Sequence, residues 1–353
     1  MGLRQPEGEA GGLELFAGHW DPLILARAAE SYQKLAALSR RFGSWREAYE
    51  GLPREERGDI GAAEAEIKES GARVIMADDP EYPALLRQIP DPPFGIFVLG
   101  TLPKSEHTVA VVGTRRATAE GIRAAQEMGG GLARAGMVVV SGLALGIDAA
   151  AHAGCLAEKG ETVAVLAGGV GRIYPRENEW LAREIIETGG AIVSEYPPMA
   201  ESFPSRFLER NRITSGLAEA VVIVEAPQRS GALSTASHAA EQNRDVFVVP
   251  GPVRSMQYAG SFALIRDGAR LVRSVEDVLE DMGITKEEQR GVEEKFNPEQ
   301  TKIMKALRER GEAADVDKIA ELTKLDPQTV ASEMAELVLE GAVEESGGQY
   351  AAA

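Results

Sequence analysis

From Val109 onward, short unbroken apolar runs alternate with segments whose apolar residues recur every three or four positions. Continuous runs suit strands buried on both faces of a parallel sheet, and the 3.6-residue recurrence suits helices packed over them. The pattern predicts strands at 96–99, 109–112, 138–140, 163–166, 191–193, 220–224, 246–249 and 270–272. Helices are expected up to Ala135, through His152, over 179–188, 207–217 and 231–243, and around Leu264 and Ile265. Regular alternation of this kind implies an α/β chain with an extended Rossmann-like, mainly parallel sheet over 76–283.

The flanks read differently. Leu23, Leu25, Ala28, Tyr32, Leu35 and Leu38 stand at helical spacing, punctuated by Gly43, Gly51-Leu52-Pro53 and Gly71. They predict a small helical domain over 1–75, SAM/helix-hairpin-helix-like in kind. Arg40-Arg41-Phe42-Gly43 reads either as a DNA-contacting hairpin or as a solvated helix end, and its acidic surroundings favour the second. Prolines at 80, 83, 90, 92 and 93 stiffen the approach to the first strand. Residues 284–298 are charged and weakly patterned, as a linker is. Helices at 299–310, 315–323 and 327–340, then a hairpin at 342–350, suggest a winged-helix-like domain over 299–353. Its third helix carries Glu333, Glu336 and Glu340 but no lysine or arginine, so protein contact or packing is expected rather than duplex reading.

Charge changes the picture once it is divided along the chain. The formal charge is −17, yet residues 109–273 hold 17 basic and 17 acidic side chains, so the flanks carry the whole excess. Sixteen of those 17 bases are arginines, the side chain whose planar fork suits phosphate. The single cysteine, Cys155, excludes an internal disulfide and fits a reducing compartment. Four scattered histidines lack metal-site spacing. No apolar run approaches the ~20 residues of a membrane span, and no secretory signal opens the chain, so a cytoplasmic protein without cofactor or membrane association is expected.

Two strand-to-helix turns hold the candidate chemistry: Gly113-Thr114-Arg115-Arg116, and Ser141-Gly142 through Gly146-Ile147-Asp148. Open α/β sheets bind ligands at such carboxyl ends, and small residues let backbone amides approach an anion. The turns lack the second and third glycines of a dinucleotide fingerprint and the lysine of a Walker loop. From spacing alone, ordinary tight turns and a phosphate cradle are equally good readings; the adjacent arginines tilt the balance. Further turns follow at Gly168-Gly169, at Tyr174 to Asn178, at Arg206 to Arg212 and at Arg229-Ser230-Gly231. That extent of lining suits a strand of nucleotides better than one mononucleotide.

Gly113-Thr114-Arg115, Ser141-Gly142 through Asp148 to Ala151-His152, Ile173-Tyr174-Pro175-Arg176-Glu177-Asn178, Ser194-Glu195-Tyr196-Pro197-Pro198, Arg210-Asn211-Arg212-Ile213 and Ser230-Gly231-Ala232-Leu233 together resemble the DprA/Smf DNA-processing family. The resemblance implies a protein that binds single-stranded DNA through its Rossmann-like domain, dimerises through it, and loads a RecA-type recombinase during natural transformation. It maps phosphate binding onto Gly113, Arg115, Ser141, Gly142, Gly168, Gly169, Arg176, Arg210, Asn211 and Arg212. Thr114, Gly146, Ser230 and Gly231 complete the candidate cradle. Phe207 or Tyr174 is a candidate for base stacking, although core packing is the plainer reading of either ring.

Ser141, Asp148 and His152 invite comparison with a hydrolase triad, but no strained nucleophile elbow surrounds Ser141. Asp148 and His152 are instead expected to brace the loop. The rival class is a lysine-decarboxylase-like phosphoribohydrolase, whose glycine-rich turn is followed by a catalytic glutamate. The corresponding stretch, Gly231 to His238, offers serine and histidine there. Without that carboxylate, glycosidic cleavage has no evident general base, and a non-catalytic binder is expected.

Overall fold

The computed structural model describes residues 60–284 except 78 and 106, and 298–352 except 311–312, 340–342 and 347–348. The helical pattern at Leu23 to Leu38 and the Arg40–Gly43 segment lie outside the described residues. Two compact units divide the chain at Ile284 and Thr285.

In the first unit the elements run α1 Ile60–Ser70, β1 Arg73–Met76, α2 Ala84–Arg87, β2 Gly95–Gly100, β3 Thr108–Val112, α3 Ala119–Arg134, β4 Val138–Ser141, α4 Ile147–Ala157 and β5 Thr162–Val165. There follow α5 Glu179–Glu187, β6 Ala191–Ser194, α6 Pro204–Gly216, β7 Ala220–Ile223, α7 Ala232–Glu241, β8 Asp245–Val248, α8 Ala259–Arg266, β9 Arg270–Leu271 and α9 Val275–Asp281. All nine strands form one sheet in the order β1-β2-β6-β5-β4-β3-β7-β8-β9. Neighbours from β6 through β9 are parallel, whereas β2 pairs antiparallel with both β1 and β6. The α/β, mainly parallel architecture is thus present.

β1 corrects one boundary. Helical spacing was expected up to residue 75, but Arg73–Met76 is a strand of the large sheet, so the sheet unit begins earlier. The apolar run Val74-Ile75-Met76-Ala77 is too short to separate strand from helix by its pattern.

Continuous apolar runs give strands covered on both sides. Every residue of β4, β5, β6 and β7 is buried. On one face Leu86, Ile213, Leu217, Ala232, Ala236 and Ala239 bring α2, α6 and α7 onto the sheet. On the other, Ala125, Leu132, Ala151, Cys155 and Val278 bring down α3, α4 and α9. Leu181 and Ile185 of α5 pack with Phe97 and Ile192 in a third cluster. α3 and α4 touch backbone to backbone, because a Cβ on Gly129 would collide with the Ala151 carbonyl and one on Gly154 with that of Gln126.

The second unit holds α10 Pro298–Arg310, α11 Val316–Thr323, α12 Pro327–Leu339 and the antiparallel pair β10 Val343–Ser346 and β11 Gln349–Ala352. Ile303, Leu307, Ile319, Val330, Met334 and Leu337 form its core.

Candidate functional site

β3 and β7 are adjacent in the sheet, but the chain leaves them in opposite directions: from β3 to β4 on one side and from β7 to β8 on the other. The reversal opens a crevice at their carboxyl ends, where doubly wound sheets hold ligands. Here it is a cleft of about 540 Å³.

Three segments wall it. Gly113 to Arg116 comes from β3, Pro227 to Ala232 from β7 and the start of α7, and Phe207 to Thr214 from α6. Arg115 and Arg116 are exposed, as is Arg229 opposite them. The Arg115 guanidinium lies over the Phe207 ring, 4.4 Å from its centroid, and the Tyr174 ring stands 5.9 Å from Phe207. Tyr174 is 52% exposed and Phe207 half-buried, so both aromatics belong to the cleft mouth and not to the core, as plain reading had assigned them.

The loops are fixed from beneath. Asp148, at the first turn of α4, is buried and accepts the amides of Gly113, Gly142 and Ala144. Burial raises its carboxyl above the usual carboxylate range, against the opposing pull of Arg210 and those amides. Arg210 is 5% exposed on the cleft floor, donating Nη1 to the Gly142 carbonyl at 2.8 Å and also to that of Val165. Burial lowers its guanidinium to about 10, with Asp148 opposing. Gly146 brings the second loop against the first: its φ is +83°, and a Cβ there would meet the Thr114 carbonyl. Asn211 donates to the Gly231 carbonyl at 3.2 Å, tying α6 to the start of α7. Glu225, fully buried, accepts the Thr114 amide at its carbonyl and the Thr118 amide and hydroxyl at its carboxylate, pinning both ends of the arginine turn.

The cleft therefore unites Gly113, Thr114, Arg115, Gly142, Phe207, Arg210, Asn211, Ser230 and Gly231 with Asp148. It adds Arg116 and Arg229, which the residue-by-residue assignment had passed over. Their signal was available, since both are arginines in turns following the two central strands.

Other expected members lie elsewhere. The buried Ser141 hydroxyl donates to the Val111 carbonyl at 2.6 Å, inside the sheet. Gly168 and Gly169 pack against the segment 197–202, and the Gly169 amide donates to the Ala200 carbonyl. Arg176 lines a neighbouring cleft with Arg172 and Arg183. Arg212 is 4% exposed and ion-paired with Asp91 at 2.8 Å and Glu195 at 2.7 Å. Burial would lower its guanidinium, but those two carboxylates outweigh burial and raise it. Arg212 thus anchors α6 and does not face the cleft. His152 braces no turn: it is buried, its ring pairs with Thr162 at 2.7 Å, and burial followed by Arg210 lowers it to about 3.

Among the described residues no group of histidine, cysteine and carboxylate side chains could hold a metal ion, and no helix is long and apolar enough to cross a membrane.

Residues 73–283 match the family model described as DNA recombination-mediator protein A. The Smf protein of Synechocystis is 40% identical over 238 residues, which span 66% of this chain and 60% of that relative's length. Among solved structures, DNA processing protein A (DprA) of Streptococcus pneumoniae superimposes with a TM-score of 0.60 at 31% identity, covering 74% of this chain and 92% of the other. The Helicobacter pylori counterpart, described for its single-stranded DNA binding mode, gives 0.53 at 27% identity, covering 60% and 97%.

Proposed function

Because the chain belongs to the DNA recombination-mediator protein A family, we propose that it binds single-stranded DNA in the cleft between β3 and β7. The observation that carries this reading is the convergence of Arg115, Arg116, Arg210 and Arg229 with the Phe207 and Tyr174 rings on one concavity at the topological switch of the sheet. Guanidinium groups neutralise phosphates, while exposed rings stack on unpaired bases without reading their sequence. A duplex buries its bases and offers those rings nothing.

Such a site works by grip and needs no turnover. The polymer is held at a compact station by four arginines, and Arg176, which lines a second cleft, is assigned to an extension of the strand. The biological role we assign is processing of incoming single strands in natural transformation and recombination, with delivery to a RecA-type recombinase, by a cytoplasmic homodimer. The part of the chain before the sheet and the second unit, Thr285–Ala353, are assigned to partner contacts. Fluorescence anisotropy of labelled single strands and matched duplexes across a salt series tests the reading: preference for the single strand with a steep salt dependence is expected, and equal or salt-insensitive binding would refute it.

A further inference from the structure

The floor of the cleft carries a polar group that the rim does not explain. Thr214 follows Arg210 by one turn of α6, is 1% exposed and lines the cleft, yet its hydroxyl has no hydrogen-bond partner among the described residues. A helical threonine ordinarily returns its hydroxyl to a carbonyl one turn back, as Thr188 does to Glu184 and Thr323 to Ile319. Leaving a buried hydroxyl unbonded costs stability, and valine would fill the same space without that cost.

Its neighbours are donors as well. Arg210 gives Nη1 to two carbonyls and Nε to Asn211 Oδ1, whereas its Nη2 has no acceptor among the described residues. α7, ten residues long, begins at the same floor, and the Gly231 amide just before it also has no acceptor among the described residues. The helix adds the partial positive charge of its N-terminus. Asp148, the carboxylate lining this cleft, attracts Arg210 but takes its hydrogen bonds from backbone amides, Gly142 among them, and none from the guanidinium. A hydroxyl, a guanidinium nitrogen and a helix start, converging without an acceptor, describe an anion subsite below the exposed rim arginines.

We infer that Thr214 is a phosphate-binding residue: its hydroxyl, Arg210 Nη2 and the start of α7 receive one phosphate group of the bound strand at the cleft floor. The inference rests on the reading of the cleft as a strand-binding site. It also fixes how the strand enters, with a phosphate inward and its base toward Tyr174 and Phe207.

Thr214→Val tests this with two readouts. Because the lost group is neutral, affinity for an oligo-dT strand should fall roughly tenfold at every salt concentration, leaving the salt slope unchanged. The variant should melt no lower than wild type, and Thr214→Ser should restore binding. Wild-type affinity in Thr214→Val, a loss matched by a lower melting temperature, or failure of Thr214→Ser to rescue would each overturn the assignment. Strands with a 5′-phosphate and with a 5′-hydroxyl separate the two sources of the group. Loss with both identifies an internal phosphodiester, loss with the first alone identifies a terminal phosphate, and loss with neither overturns it. Should wild type bind no strand at all, the cleft reading fails and the subsite is judged by millimolar thymidine 5′-monophosphate. A rise in melting temperature for wild type but not for Thr214→Val upholds it; equal shifts or none refute it.

Discussion

Arg115 rests on the face of Phe207, and this single contact, 4.4 Å from guanidinium carbon to ring centroid, joins the turn after β3 to helix α6. The ring both orients the cation and offers a stacking surface. Phe207→Ala is expected to weaken single-strand binding by about 1–3 kcal/mol, while Phe207→Tyr keeps most of the affinity. Anisotropy titrations measure both, and an unchanged alanine variant would remove the ring from the site.

The arginines divide into two experimental classes. Arg115→Ala, Arg116→Ala and Arg229→Ala should each flatten the plot of log affinity against log salt by roughly one contact, with little effect on folding. Arg212→Ala should do the reverse. Its loss leaves Asp91 and Glu195 facing one another, and breaking such a pair costs about 3 kcal/mol when buried, less here because Asp91 is half-exposed. Urea denaturation alongside the salt series distinguishes them; a normal unfolding midpoint for Arg212→Ala would contradict its role as the α6 anchor.

His152 predicts an acid-side loss of stability. Burial holds its folded-state value near 3 against an ordinary 6.5, so the unfolded chain binds the extra proton between those limits. Stability should therefore decline as pH falls from about 6.5 toward 3. Burial raises Asp148, which tips the dependence the other way, so the informative quantity is a difference. The slope of melting temperature against pH should be shallower in His152→Asn than in wild type, and parallel slopes would exclude the histidine.

Release of free base from nucleoside monophosphates separates a binder from a phosphoribohydrolase. The start of α7, Ala232-Leu233-Ser234-Thr235, carries no carboxylate. Purified protein is expected to liberate no base above a buffer control, as judged by chromatography of the reaction mixture.

Much of the sheet was legible because its strands are buried on both sides. VVVS at β4 and AVVI at β7 announce themselves without reference to their neighbours. β1 escaped because its short apolar run follows helix α1 with only Gly71 and Ala72 between them, so it reads as a continuation of the helical flank. The cleft was half legible. Sequence order located the turns, and Gly113, Arg115, Arg210 and Asn211 do meet. Nothing in the chain distinguishes Arg210, held by carbonyls on the cleft floor, from Arg212 two positions on, claimed by two carboxylates. Two residues of helical rotation, about 200°, set them on opposite sides of α6, and the acidic partners come from segments more than 15 residues away. The same holds for Ser141, whose hydroxyl closes onto a strand 30 residues distant.

The walls of the cleft come from turns more than a hundred residues apart, at Arg115 and at Arg229, and they meet only because β7 docks beside β3. During synthesis, the ribosome must release everything through Thr235 before the last wall can be laid. A nascent chain arrested after α6 would have six of the nine strands and three of the four arginines made, but no enclosure to close around nucleic acid.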